Sequence, residues 1–180
     1  MIATATSIAD VLLLEPALLS DDRGYFYESF NAQRFAALTG VQMPFVQDNH
    51  SSSRQHVLRG LHYQAAPHAQ GKLVRVTSGE IFDVVVDLRP ESATHGRWTS
   101  AILSAENRRQ LWIPPGLAHG FLTLSPHAEV LYKTTGYWSA AHERSIRWDD
   151  PILAIDWPLT AAPILSKKDQ QASFYRGQFP

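Results

Sequence analysis

The sequence predicts an all-β protein of the sandwich or barrel class, with a single domain over residues 1–180. Short apolar stretches separated by turn residues recur along the chain, which is typical of strands. Helical periodicity is scarce, so few helices can lie between successive strands. A chain of 180 residues can bury a substantial core within one domain.

The clearest helical segment lies between Asn31 and Leu38. Asn31 can cap the first turn with its side-chain oxygen, and Gly40 can end the helix in a left-handed conformation. The tail after Trp157 holds three prolines, and we expect a loop there. Between these segments the pattern predicts strands at 57–64, 72–77, 80–88, 98–103, 110–113, 120–124 and 130–135.

Ser78-Gly79 separates two of the predicted strands and is typical of a two-residue β-hairpin. In that hairpin Thr77 would face Glu80, and Lys72 and Asp83 would be diagonal neighbours on one face. A buried Lys needs such a partner, so the pattern indicates that Asp83 accompanies Lys72. The residues expected to share this face are Lys72, Val74, Val76, Ile81, Asp83 and Val85.

The same alternation of side chains places Arg59 and His62 on opposite faces of their strand. Gly60 lies between them, and a glycine inside a strand often marks a bulge that re-aims a side chain. A bulge at Gly60 would bring both side chains to one face. The pattern alone allows either arrangement.

The charge and composition exclude several classes of protein. The net charge is −1, so no overall positive field would attract nucleic acid or an anionic membrane. The chain has no cysteine, which excludes disulfides and cysteine chemistry and favours a reducing compartment. The N-terminus has no basic segment, and its longest apolar run, 11–14, is too short for a signal-peptide core or a membrane span. We expect a soluble cytoplasmic protein with no nucleic-acid or membrane partner.

Two stretches of the chain resemble the metal-binding motifs of cupins, with half of the ligands replaced. His62 stands at the first ligand position, Gln64 replaces the second His, and Lys72 stands in place of the Glu. The second motif, Pro114-x-Gly116-x-x-His119, is intact. A Lys ammonium carries three donors and no lone pair, so it repels a divalent metal and suits an oxyanion. We therefore expect no metal, and a pocket for acid–base chemistry around a positive charge.

A longer set of motifs, in order from about residue 8 to residue 170, resembles the dTDP-4-dehydrorhamnose 3,5-epimerase family. No single motif is decisive, but their joint order and spacing are very specific. The resemblance implies a jelly-roll cupin fold, a homodimer and an epimerase without a cofactor. The motifs are Arg23-Gly24-Tyr25-Phe26-Tyr27-Glu28, Gln47-Asp48-Asn49-His50-Ser51, Leu58-Arg59-Gly60-Leu61-His62, Gly71-Lys72-Leu73-Val74, Ile113-Pro114-Pro115-Gly116-Leu117-Ala118-His119-Gly120-Phe121, Tyr132-Lys133 and Leu165-Ser166-Lys167-Lys168-Asp169.

The family's reaction, from dTDP-4-dehydro-6-deoxy-D-glucose to dTDP-4-dehydro-L-rhamnose, inverts two carbons beside a ketone. Each inversion needs a base on one face, an acid on the other and stabilisation of the enolate oxygen. His62 is the natural base, because the pKa of an imidazole lies near working pH. The resemblance implies that Asp169 orients His62, that Tyr132 returns the proton and that Lys72 stabilises the enolate. It places His119 nearby in the pocket.

For the nucleotide, the resemblance implies that Arg23 and Arg59 bind the diphosphate and that Glu28 bonds the thymine. The family commonly has a tyrosine at position 138 that stacks on the thymine. This chain has Trp138, whose larger indole can also stack. The expected substrate-binding residues are Arg23, Phe26, Glu28, Gln47, Asp48, Asn49, Arg59, Lys72, His119, Trp138, Glu143 and Lys168.

Three other functions compete with the double epimerase. An enzyme that epimerises only C3 or only C5 of a related dTDP-keto sugar would use the same base and acid, so the sequence separates it poorly. A metal-dependent cupin oxygenase is disfavoured by Gln64 and Lys72. A non-catalytic sugar-binding cupin would not need both a base and an acid.

Overall fold

A computed structural model describes residues 1–177 of the chain. Two helices lie in this part, α1 (Ala32–Thr39) and α2 (Lys167–Gln170). The strands, in chain order, are β1 (Ile2–Ala5), β2 (Leu12–Glu15), β3 (Leu19–Asp21), β4 (Gly24–Phe26), β5 (Gln47–Arg54), β6 (Leu58–Gln64), β7 (Lys72–Ser78), β8 (Glu80–Asp87), β9 (Trp98–Ser104), β10 (Gln110–Ile113), β11 (Leu117–Thr123), β12 (His127–Thr134) and β13 (Glu143–Ser145).

The strands form two antiparallel sheets that pack as a sandwich. The six-stranded sheet has the order β1-β2-β10-β7-β12-β5, and the five-stranded sheet has the order β13-β6-β11-β8-β9. Strands β3 and β4 form a separate hairpin. The prediction of an all-β sandwich is confirmed.

The main core lies between the two sheets. β7 contributes Val74 and Val76 from the six-stranded sheet, and β8 contributes Ile81 and Val85 from the five-stranded sheet. All four side chains are buried because alternate residues of each strand point inward. The residues expected to share a face therefore do face one interior, although they reach it from opposite sides.

The predicted hairpin at Ser78-Gly79 is wrong. β7 and β8 belong to different sheets, so the turn carries the chain across the sandwich instead of pairing its flanking strands. Gly79 has a φ of 74°, and a Cβ there would lie 1.9 Å from the carbonyl oxygen of His127. The turn thus requires glycine, but turn residues alone do not specify which strands pair.

Helix α1 covers the outer face of the six-stranded sheet. Its predicted caps are confirmed: the Asn31 side chain accepts from the Arg34 backbone N–H at 3.1 Å, and Gly40 is left-handed. Phe35 is buried edge-on against Trp112, with ring centroids 5.2 Å apart. This aromatic contact fixes the helix on the sheet.

The predicted strands all correspond to observed strands, with ends that differ by up to three residues. The prediction missed β1 to β5 and β13. It also missed α2, which lies in the tail expected to be a loop. No helix within residues 1–177 is long and apolar enough to span a membrane.

Candidate active site

A cavity of about 600 Å³ opens between the sheets and is lined from both of them. β5, β7 and β12 contribute from the six-stranded sheet, and β6, β11 and β13 contribute from the five-stranded sheet. The segment 164–169 closes one side. The sequence-predicted residues that line this cavity are Gln47, Asn49, Arg59, His62, Lys72, His119, Tyr132, Trp138, Glu143, Lys168 and Asp169.

A β-bulge explains how Arg59 and His62 both reach the cavity. His62 pairs with His119 on β11, whereas Arg59 pairs with Phe121, so three residue steps on β6 match two on β11. Gly60 sits in this bulge with a φ of 132°, and a Cβ there would lie 2.6 Å from the Cα of Gly120. Of the two arrangements that the sequence allowed, the structure has the bulge at Gly60, and the close approach to Gly120 leaves no room for a side chain there.

His62 is paired with the carboxylate of Asp169. The Nε2 of His62 lies 2.5 Å from Oδ1 of Asp169, which is buried. Ser166 caps α2: its hydroxyl donates to Oδ2 of Asp169 at 2.9 Å and accepts from the Asp169 backbone N–H at 3.1 Å. Because Nε2 is engaged by Asp169, Nδ1 is the ring nitrogen left to accept a proton from a substrate.

The pKa of Asp169 is set by opposing effects. Burial tends to raise it, but the hydrogen bond and charge of His62, the hydroxyl of Ser166 and the charge of Lys168 outweigh burial. The pKa of Asp169 is therefore lowered, and the residue is a carboxylate at neutral pH. This carboxylate holds the His62 ring in place through its contact with Nε2.

Lys72 supplies a buried cation beside this pair. Its Nζ donates to the carbonyl oxygen of His62 at 3.2 Å. Burial lowers the pKa of Lys72 to about 8, although the carboxylates of Asp83 and Glu143 oppose the shift. The predicted association of Lys72 with Asp83 is thus present as an electrostatic interaction, formed across the sandwich and not within a hairpin. The ammonium form dominates at neutral pH.

His119 forms a second buried pair with a carboxylate. Its Nε2–H donates to Oδ2 of Asp83 at 2.8 Å, and both side chains are buried. Burial lowers the pKa of His119, although Asp83 opposes the shift. His119 is therefore neutral at pH 7. His119 pairs with His62 across strands β6 and β11. The cavity therefore holds two histidines, His119 bonded to Asp83 and His62 bonded to Asp169.

Tyr132 approaches the cavity from the other sheet. It lies on β12, between Val74 on β7 and Asn49 on β5. Burial raises the pKa of Tyr132, and the negative charge of Glu143 raises it further. The phenol therefore keeps its proton at neutral pH and can act as a donor.

Polar residues line the rest of the cavity. Arg59 is held by bonds from Nε to the Ser53 hydroxyl and from Nη2 to the Ser52 carbonyl, each 3.0 Å long. Lys168 pairs with Glu143 at 2.7 Å. Arg59 and Lys168 are thus two further cations at the cavity, and they suit an anionic ligand.

Four expected substrate-binding residues do not line the cavity of their own chain, and three of them lie before α1. Arg23 and Phe26 lie on the hairpin of β3 and β4, where the Arg23 side chain is 90% exposed and Phe26 is 68% exposed. Arg23 pairs with Asp21 on the same hairpin. Glu28 pairs with Arg34 of α1 at 3.1 Å.

Asp48 also lies away from the cavity. It follows Gln47 and precedes Asn49 on β5, and strand alternation turns it to the opposite face. There its carboxylate accepts from Nζ of Lys133 at 2.9 Å. The motif Gln47-Asp48-Asn49-His50-Ser51 forms part of β5, and only alternate residues of a strand can face the cavity.

Several cavity residues had no role in the sequence prediction. Ser51, Gln70 and Ser166 are polar examples, and Gln64 appeared only as a replaced metal ligand. A signal existed for Ser166, because a serine three residues before an acidic residue is typical of a helix N-terminus. The contacts of Gln64 and Gln70 run to residues far along the chain, which no local pattern predicts.

The residues present do not suit a metal ion. Within residues 1–177, no three His, Cys, Asp or Glu side chains lie close enough together to hold one. His62 and His119 each use Nε2 on a carboxylate. The ammonium of Lys72 lies among these groups and would oppose a divalent cation.

The model of the dTDP-4-dehydrorhamnose 3,5-epimerase family matches residues 5–176 of this chain. The chain belongs to this family. Among curated members, the dTDP-4-dehydrorhamnose 3,5-epimerase of Pseudomonas aeruginosa is 58% identical over 175 residues, which cover 97% of this chain and 96% of that protein. The epimerase family therefore accounts for nearly the whole sequence.

Solved structures of the family have the same fold. A dTDP-6-deoxy-D-glucose-3,5-epimerase from Legionella pneumophila, in complex with dTDP-4-keto-L-rhamnose, matches with a TM-score of 0.93 and 51% identity, covering 96% of this chain and 91% of that one. A 3'-monoepimerase from Streptomyces bikiniensis, in complex with dTDP-quinovose, matches with a TM-score of 0.89 and 34% identity, covering 97% and 87%. The cupin-type jelly roll expected for an epimerase of this family is confirmed.

Proposed function

We propose that this chain is a cytoplasmic, homodimeric enzyme that converts dTDP-4-dehydro-6-deoxy-D-glucose to dTDP-4-dehydro-L-rhamnose without a cofactor. The observation that carries the proposal is the opposition of His62 and Tyr132. They line one cavity but come from different sheets, His62 from β6 and Tyr132 from β12. Inversion of a carbon needs a base and an acid on opposite faces of the sugar. Membership of the epimerase family supports the substrate.

The reaction begins when Nδ1 of His62 removes the proton from C3 or C5. The electron pair of the C–H bond moves toward the adjacent C4 carbonyl, and the negative charge collects on O4. Asp169 stabilises the imidazolium through its 2.5 Å contact with Nε2. Without that carboxylate, the His62 ring would lose the contact that fixes its orientation.

The enolate is stabilised by Lys72, the buried cation beside His62. A charge held in a site that excludes water acts more strongly than the same charge in solvent. Lys72 must carry its proton for this role, and its pKa of about 8 keeps it protonated at neutral pH.

Tyr132 completes each inversion by giving its phenolic proton to the carbon from the opposite face. The π electrons of the enolate C=C bond form the new C–H bond, and the negative charge on O4 restores the C4 carbonyl. The resulting phenolate takes a proton from solvent, and the imidazolium of His62 loses one to solvent. Each group then returns to its starting state, so no cofactor is consumed.

The β3–β4 hairpin supports a homodimer with shared sites. It presents Arg23 and Phe26 away from the cavity of its own chain, with their side chains largely exposed. The resemblance implies that both residues bind the substrate, and that subunits of the family share strands and ligands. In a homodimer the hairpin would reach the partner's cavity, where Arg23 would join Arg59 at the diphosphate.

Proton NMR of dTDP-4-dehydro-6-deoxy-D-glucose with the protein in deuterated water tests the proposed reaction. The double epimerase should introduce deuterium at C3 and C5 and give the L-configured product. Exchange confined to one carbon would instead identify a single-carbon epimerase, the class to which the Streptomyces bikiniensis structure belongs. No exchange at either carbon would contradict both.

Mixing two inactive variants tests the shared site. His62→Asn removes the base, and Arg23→Ala removes a group that would serve the partner's site. A mixed dimer has one intact site, so random reassociation should restore about a quarter of the wild-type activity. A mixture no more active than its separate components would contradict the shared site, and a monomer in sedimentation would contradict the dimer.

A further inference from the structure

The segment 136–139 carries Trp138 to the mouth of the cavity and is held there by side-chain amides. The Nε2 of Gln70 donates to the Gly136 carbonyl at 2.6 Å. The backbone N–H of Trp138 donates to Oε1 of Gln47 at 3.1 Å. The indole itself is 56% exposed although it lines the cavity. Its own packing therefore does not fix it, and its position depends on the backbone contacts.

Gln64 makes two of these contacts with one side chain. Its Nε2 donates to the Tyr137 carbonyl at 3.2 Å, and its Oε1 accepts from the Ser139 N–H at 3.1 Å. These partners lie on either side of Trp138, so the amide spans the residue that it positions. Gln64 is only 6% exposed, which makes each bond costly to lose.

The amide side chain satisfies both partners with one donor and one acceptor. A glutamate would still accept from Ser139 but would face the Tyr137 carbonyl with a second acceptor. A neutral histidine, which metal cupins have at this place in the motif, also offers one donor and one acceptor, but on a rigid ring with a different reach. The replacement of the second His by Gln64 therefore removes a metal ligand and also supplies the two bonds that hold Tyr137 and Ser139.

We propose that Gln64 is a positioning residue that fixes Trp138 at the cavity mouth and thereby sets the affinity for the nucleotide base of the substrate. This inference rests on the proposed function, because Trp138 meets a base only if the ligand is a dTDP-sugar. A planar indole held in one orientation can stack on thymine without losing conformational freedom on binding.

The decisive variant is Gln64→Met, which keeps the length of the side chain and removes both hydrogen bonds. We expect the Kd of dTDP and the KM of the substrate to rise about tenfold, which corresponds to the loss of a buried hydrogen-bonded contact. The kcat should change less than about threefold, because His62 and Tyr132 keep their places. Gln55→Met is the matched control, since Gln55 donates one bond to the Leu124 carbonyl outside the cavity.

A double-mutant cycle shows whether Gln64 acts through Trp138. Trp138→Ala should itself raise the Kd of dTDP, and adding Gln64→Met should then change it little, because the group that Gln64 positions is gone. Independent, additive effects of the two substitutions would overturn the inference. If Gln64→Met does not fold, Gln64→Glu gives the same comparison, with the donor to Tyr137 lost and the acceptor for Ser139 kept.

The outcomes separate this inference from the proposed function. If the wild-type protein binds dTDP and Gln64→Met binds it with the same Kd, the positioning role alone is overturned. A Gln64→Met protein that only melts at lower temperature would do the same, since it would show a purely structural residue. Absence of dTDP binding by the wild-type chain would overturn the proposed function and this inference with it.

Discussion

The interior of the sandwich has an apolar end and a polar end, built by the same strands. The inward side chains of β7 are Lys72, which lines the cavity, and Val74 and Val76, which lie in the core. On β12 the corresponding residues are Tyr132 and Val130. Both strands keep their alternation from the core to the cavity, so the polar character of the cavity comes from polar residues placed at inward positions.

The two ends differ in what holds them. The apolar end needs only to exclude water. The polar end needs a partner for each buried charge, and the pairs His62–Asp169 and His119–Asp83 provide partners. Even so, Oδ1 of Asp83 is buried without a hydrogen bond among the described residues. A buried oxygen without a partner is a local cost to stability, and the apolar end has no such group among the described residues.

The largest effect on the polar end should come from His62→Asn. Removing the base should lower deuterium exchange at both sugar carbons by about a thousandfold or more. The variant should still fold, because the core between the sheets does not contain this side chain, although the loss of the partner of Asp169 should lower the melting temperature. NMR exchange rates and a thermal melt measure both quantities. His127→Asn, which changes an exposed histidine bonded to Ser52, is the control and should exchange normally.

The opposite result is expected from Leu111→Ala at the apolar end. Leu111 is fully buried in the core between the sheets, so its truncation should lower the free energy of unfolding by about 2–5 kcal/mol. The kcat should remain near the wild-type value below the melting temperature. Denaturant titration and steady-state kinetics check the two halves of this prediction. A large fall in kcat with unchanged stability would show that the two ends are not separable.

A smaller effect is expected from pH. Lys72 has a pKa of about 8 because it is buried, so it loses its proton as pH rises through that value. The rate should fall about tenfold per pH unit above it, since the neutral amine no longer stabilises the enolate. The Tyr132 phenol does not explain this fall, because its pKa is raised.

The variant Lys72→Arg distinguishes the source of the alkaline fall. A guanidinium keeps its charge throughout this range, so the residual activity of the variant should be nearly constant between about pH 7.5 and 9.5. Lys133→Arg, on the outer face beside Asp48, is the control and should keep the wild-type profile. An alkaline fall at the same pH in Lys72→Arg would assign the titration to another group.

The contrast between the two ends also explains which elements the sequence predicts. β7 and β8 are rich in Val and Ile, because they supply the core, and both were predicted. β5 was missed because its inward residues, Gln47, Asn49 and Ser51, face the cavity and give no apolar alternation. A strand that lines a polar site lacks the signal that reveals a strand lining a core.

The site was predictable where local sequence carries the contact, and unpredictable where distant segments meet. His62, Lys72 and His119 stand in motifs and do line the cavity. The hydrogen bond between Gln64 and Ser139 joins positions 75 residues apart, and no local motif predicts such a contact. Arg23 and Phe26 stand in an equally clear motif but lie outside the cavity of their own chain. A motif identifies a residue type and its neighbours, while the partner it meets is set by tertiary or quaternary structure.

The central claim is that His62 and Tyr132 act from opposite sheets on opposite faces of the sugar, and Tyr132→Phe tests it most directly. The measurement is NMR of dTDP-4-dehydro-6-deoxy-D-glucose in deuterated water, following deuterium incorporation and configuration at C5 together. Proton removal by His62 does not need the phenol, so the variant should still introduce deuterium into the sugar. Inverted product at C5 should form roughly a hundredfold more slowly, because reprotonation from the opposite face lacks its donor. Inversion of C5 at the wild-type rate would contradict the claim.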